Sequence, residues 1–193
     1  HISTPDGELV RAFGDWPAGT ARRYHSESAY VGGDRFWAAQ PEELGLGYQL
    51  ELWSTGGRLR RTLRRDVAWF PRGRAGGPPA GHGQAEREPP APEIGGLLAD
   101  GTGLLLVLMS VPDPEWRYIA DPRERRRRRW ELLDVRYEVI DPAANTVLVS
   151  ALLDDRAVMP TGFLPRSRLA YRHEVKDDGT VVVTLLRYHL AAR

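Results

Sequence analysis

Arg123-Glu124-Arg125-Arg126-Arg127-Arg128-Arg129-Trp130 is the densest cluster of chemistry-bearing side chains in the sequence. Guanidinium forks suit phosphate or carboxylate contacts, and a neighbouring indole can stack on a base or sugar. One reading is therefore an anion-binding site at Arg125, Arg126, Arg127, Arg128 and Arg129 with Trp130. Against it, Asp113, Glu115, Asp121, Glu131 and Asp134 flank the run and can neutralise it. Moreover, 26 of the 27 basic residues in the chain are arginine, so part of the run reflects general usage. Trp69 and Trp116 join the candidate ligand-binding residues, because both fall in long connections where they can line a pocket or pin a loop.

Other chemistries find less support. The histidines are His1, His25, His82, His173 and His189. His25 and His173 could share a metal with an acid only if distant segments converge, and no His-Glu-x-x-His or close pair is present. No Gly-x-Ser-x-Gly or Ser-x-x-Lys marks a nucleophile. Asp154-Asp155 reads as a solvated turn as readily as an acid–base pair. Gly76-Gly77-Pro78-Pro79 lacks the lysine and helix of a phosphate loop. Cysteine is absent altogether, which removes thiolate catalysis and disulfides. No catalytic residue, metal or cofactor is assigned.

Charge points away from a broad basic surface. Residues 1–70 hold nine basic and nine acidic groups, 71–99 three of each, 100–135 seven of each, and 136–193 eight and seven. Nucleic-acid binders usually concentrate positive charge, so no nucleic-acid partner is expected. The longest apolar run, Leu104–Met109, is far too short to span a membrane. The compartment is unassigned; an upstream signal peptide would make the chain periplasmic or secreted.

Short strands must position these groups. Pro5-Asp6-Gly7 followed by Leu9–Phe13 returns fifty residues later as Thr55-Gly56-Gly57-Arg58-Leu59 through Leu63. A weaker copy is Pro142–Val149, with Asn145 in the glycine place, where a left-handed backbone is tolerated. Tyr48–Trp53 and Tyr137–Ile140 alternate with period two ahead of these turns, and hairpins precede them at 27–40 and 94–110. The repeating unit is a four-stranded antiparallel meander, once over 27–64 and again over 94–152 with an insert at 111–135. Residues 1–13 end a preceding unit, and 163–193 begin a partial third. A short helix is expected over Arg123–Leu133. Trp37, Tyr48, Trp53 and Tyr137 are expected in the core between units.

Repeats of this size favour an all-β chain of propeller blades over a sandwich or irregular barrel. In each meander the first–second and third–fourth turns share one end. The tight turns at 32–34, 55–57, 100–103 and 143–145 all fall there. The connections 41–47, 65–93 and 111–135 fall at the other, including a Gly/Pro loop at 71–92 expected to be flexible and exposed. Long loops on a rigid scaffold are where binding residues concentrate.

On Pro5–Gly14, Tyr48–Thr62 and Tyr137–Pro142 the chain resembles the six-bladed β-propeller proteins of bacteria, the group related to NHL-repeat and TolB-like propellers. The resemblance implies a single propeller segment of about two and a half blades in an incomplete ring, with the missing blades elsewhere in a longer product. It fixes no activity. The leading expectation is a non-catalytic binding or structural module whose protein or small-molecule ligand sits at the long-loop face. The balance is against an enzyme. The alternatives are a metal-dependent hydrolase or lyase completed at the propeller centre by missing blades, and an anion-binding module using 125–129.

Overall fold

In the computed structural model the residues described are 2–3, 9–11, 28–39, 47–70, 89–99, 101–128, 131–153, 162–163, 169–176 and 178–187. Strands β1 (Ile2–Ser3) and β2 (Leu9–Arg11) form an antiparallel pair. The strands β3 (Ser28–Gly32), β4 (Arg35–Ala39), β5 (Tyr48–Ser54) and β6 (Leu59–Arg65) then make one antiparallel sheet in chain order. A second such sheet consists of β7 (Glu93–Ala99), β8 (Leu105–Pro112), β9 (Leu133–Asp141) and β10 (Thr146–Leu153). The strands β11 (Gly162–Phe163), β12 (Leu169–Val175) and β13 (Val181–Arg187) form a third sheet of three. The architecture is all-β antiparallel meander, not closed into a barrel or ring.

The first two sheets repeat one another in the turn and bulge between their third and fourth strands. The turn from β5 to β6 contains Gly57 at φ 78°, and the turn from β9 to β10 contains Asn145 at φ 56°. These are the glycine and its asparagine substitute aligned by sequence, each between a third and a fourth strand. A bulge follows both turns. Trp53 pairs with Leu59 but Leu52 with Arg61; likewise Ile140 pairs with Val147 but Val139 with Val149. Beyond the bulge, Glu51 lies opposite Thr62 and Glu138 opposite Ser150. On the other side Glu51 neighbours Ala38, and Glu138 neighbours Val107. Glu51 and Glu138 thus hold the same position in successive units.

This equivalence reveals how the sheets stack. Ala29, Trp37 and Leu50 of the first sheet pack on Leu97, Val107 and Ile140 of the second, in one buried cluster. The second-sheet counterparts of Ala29, Trp37, Leu50 and Leu52 are Leu98, Leu106, Tyr137 and Val139. Those residues belong to a separate cluster on the opposite face. Like faces therefore point the same way, as in a stack of repeats, instead of meeting as a two-fold sandwich would bring them. Burial on both faces explains why Leu105–Met109 is a continuous apolar run without alternation. The first strands of the units approach in series, β3 next to β7 and β7 next to β11.

The insert of the second sheet has structure of its own. Asp113 N donates to Leu132 O at 3.1 Å, closing the insert at its base. Asp113 Oδ1 accepts from Glu115 N, and Trp116 N donates to Asp113 O, making a compact turn. Helix α1 covers Pro122–Arg127, shorter than the 123–133 expected. Asp121 caps it by accepting from Arg123 N, with Pro122 at the first position, where its missing N–H costs nothing. It stops because Leu132 and Leu133 are drawn into the core at the start of β9. Asp66–Pro92 connects the first two sheets; of the Gly/Pro loop at 71–92, residues 71–88 lie outside the described residues, as does Gly7.

Candidate functional site

Two places hold the residues singled out by sequence. The first is the junction where the last turn of the first sheet meets β9. Trp69 follows β6 in the turn closed by the Val67–Phe70 bridge. Its ring lies 6.1 Å from Tyr48 and 5.9 Å from Phe70, edge-on to the latter, and Tyr48 and Phe70 are 5.3 Å apart. The Arg136 guanidinium of β9 covers Trp69 at 4.5 Å, a cation–π distance. Trp69 therefore pins the turn between the sheets.

Beneath this aromatic group lies a buried ion pair. Glu138 is fully buried, and its Oε2 accepts from the guanidinium of Arg65 at the end of β6. Arg65 also lies 5.3 Å from the centre of the Tyr48 ring. A carboxylate with no access to water needs such a partner. Among the described residues, Tyr48 Oη, Glu138 Oε1 and Arg136 Nε are buried with no hydrogen-bond partner. Burial first, and the negative charge of Glu138 second, push the Tyr48 hydroxyl well above the ordinary phenol range. Tyr48 is consequently a neutral phenol at physiological pH.

The equivalent position in the first sheet is wired differently. Glu51 Oε1 accepts from Gln49 Nε2 at 2.8 Å, and Glu51 Oε2 accepts from Trp53 Nε1 at 3.0 Å. Arg64 completes the set by donating to Gln49 Oε1 from two nitrogens, at 3.0 and 2.6 Å. All four residues belong to the first sheet.

The second place is the insert 113–132, where Arg125 and Arg128 are engaged by local partners. Arg128 donates from Nε to Glu131 at 2.7 Å and from Nη1 to Glu124 at 3.3 Å. Glu131 first and Glu124 second raise its already high pKa. Arg125 reaches the Ile119 carbonyl at 3.4 Å and lies 5.9 Å from the Tyr118 ring centre. Arg126 and Arg127 are in α1 with side chains outside the description, and Arg129 and Trp130 lie outside the described residues. Trp116 is half-buried in the turn at the insert's base. No described hydrogen bond or ring contact joins Trp116 to Trp69.

Sequence reasoning missed Arg65, Arg136 and Glu138. The signal was the shared pattern Leu50-Glu51-Leu52-Trp53 and Tyr137-Glu138-Val139-Ile140, which repeats an acid inside an apolar strand. Trp37 and Tyr48 are buried in the first core cluster, and Tyr137 packs on the second. Trp53, expected in the core, is half-buried and bonds the acid of its own face. His1, His25, His82 and His189 lie outside the described residues, and His173 is placed only by its backbone in β12. Among the described residues no three potential ligands are grouped to hold a metal, and no helix is long and apolar enough to cross a membrane. Comparison with protein-family models, with curated proteins and with solved structures finds no match to this chain.

Proposed function

We propose that each meander sheet is one blade of a β-propeller and that the chain is a propeller segment of the bacterial six-bladed kind. It acts as a non-catalytic binding or structural module. The stack of like faces supports the blade reading, since blades around an axis meet front to back. Its ligand, a protein or small molecule, is received at the end of the sheets that carries the long connections.

The observation that carries this reading is the inequality of the two ends. At one end the turns within both sheets are tight, those from β5 to β6 and β9 to β10 each built on a positive-φ residue. At the other, residues 113–132 form a closed, capped and ion-paired insert that contributes Ile119 and Leu132 to the buried interior. Ordering twenty residues costs conformational entropy, and a four-residue turn would join β8 to β9 equally well. Of the arginines in the anion-binding alternative, Arg128 is ion-paired from within the insert.

The test compares the wild-type chain with a variant whose residues 114–131 are replaced by a tight turn. Both are applied to peptide and glycan arrays, with far-UV circular dichroism checking the fold. Ligands bound by the first and lost by the second are expected. An identical binding pattern for both proteins would remove the long-loop end from consideration.

A further inference from the structure

Among the described residues, strand β13 is the outer strand of the third sheet, hydrogen-bonded to β12 on one side only. Its pattern alternates strictly. Val181, Val183 and Leu185 are 58, 60 and 61% exposed, while Val182, Thr184 and Leu186 on the opposite face are half-buried. The exposed three lie in register beside Val175, His173 and Tyr171 of β12. Soluble chains rarely leave such a row open. The first two sheets show how such a face is resolved here: their facing apolar surfaces cover one another in one buried cluster.

We propose that this face docks a second copy of the chain, third sheet on third sheet about a two-fold axis, with β13 antiparallel over β13. Three observations select that occupant. A further copy cannot offer its first sheet front-on, because Gln49 and Glu51 on that face are already covered, at 5 and 8% exposure. An isologous pairing brings identical surfaces together, and a row of aliphatics is complementary to itself. Centred on Val183, the overlay sets Val181 over Leu185 and Arg187 over the turn that precedes the strand.

The third observation is charge. That turn has the sequence Lys176-Asp177-Asp178-Gly179, one positive and two negative groups. Asp178 Oδ1 accepts from Thr180 N at 2.8 Å, which holds the carboxylate in place and its pKa below the ordinary range. Arg187 is exposed at the far end of the strand, on the same face as Val183. Two-fold antiparallel docking therefore places Arg187 of each copy beside Asp178 in the turn of the other. Residues 181–186 between these ends carry no charge to repel.

Sedimentation equilibrium over a range of micromolar concentrations tests the proposal. A monomer–dimer equilibrium is expected for the full chain. Val183→Asp should abolish it. Asp178→Arg should weaken it about tenfold, and Asp178→Arg combined with Arg187→Asp should restore it. Val183→Cys should yield a disulfide-linked dimer on mild oxidation, with no other cysteine to compete. If Val183→Asp loses its β spectrum, the exposed charge pair decides alone. A monomer at every concentration overturns the proposal, as does a dimer untouched by Val183→Asp. Association indifferent to the charge exchange would mean unspecific adhesion and overturns it equally.

Discussion

Glu51 and Glu138 occupy one position in two successive sheets, yet they do opposite things. Glu51 bonds Gln49 and Trp53, its neighbours two residues away on the same strand. Glu138 leaves its own sheet and pairs with Arg65, 73 residues away, at the end of the first. The repeat supplies the buried acid, and the surrounding side chains decide whether it stays within its sheet or bolts two sheets together. In the first sheet a glutamine sits two residues before the acid. In the second that place belongs to Arg136, which is turned to Trp69 and to Ser150 Oγ at 3.1 Å.

The contrast breaks most severely at Arg65. Arg65→Ala leaves Glu138 buried and unpaired, and should cost about 3–5 kcal/mol in urea denaturation. Arg64→Ala, which deprives only the neutral Gln49, should cost about 1 kcal/mol. Equal losses would mean that the junction does not hold the sheets together.

Replacing both partners sharpens the point. Arg65→Met with Glu138→Leu removes the charges as a pair and should recover most of the stability lost by Arg65→Ala, since apolar packing often replaces a buried ion pair without loss. No recovery in the same denaturation assay would show that the arginine acts through its stacking on Tyr48 and not through the pair.

Alkaline pH probes the same junction. Because the folded protein holds the Tyr48 pKa above its unfolded value, the associated stability is complete below about pH 10. It falls at higher pH, where the unfolded chain ionises first. Tyr48→Phe should flatten this decline in melting temperature between neutral and strongly alkaline buffer. An unchanged slope would put the titrating group elsewhere. The smallest effect belongs to the insert: Arg125 through Arg129 replaced by serine should lower the melting temperature only slightly, since the ion-pair partners of Arg128 are themselves solvent-exposed. A larger loss on thermal melting would make α1 part of the core.

Much of the architecture was legible because the repeat is written in turn chemistry. Gly57 and Asn145 mark third–fourth turns in both units, and alternation marks the strands before them. The junction was not legible, because period two shows which residues share a face but not which neighbouring sheet that face meets. Arg65 looked like one more arginine of an edge strand, Leu59–Arg65, that carries four of them. Trp69 was noticed for the length of its connection, whereas two of its ring contacts come from Tyr48 and Arg136, both distant in sequence. The helix was overextended because the apolar pull of Leu132 and Leu133 toward β9 is a tertiary effect.

Meander topology also sets a timetable for the chain. Every strand pairing in the two four-stranded sheets joins chain neighbours, and most are closed by short loops, so each sheet can form with little loop-closure entropy. As the chain is synthesised, the first sheet can assemble while β7 to β9 are still to come, with Trp37 and Leu50 bare until Val107 and Ile140 arrive. Docking then brings Arg65 to Glu138 as the late, long-range step. Stopped-flow refolding should accordingly find Arg65→Ala speeding unfolding while scarcely slowing the formation of either sheet.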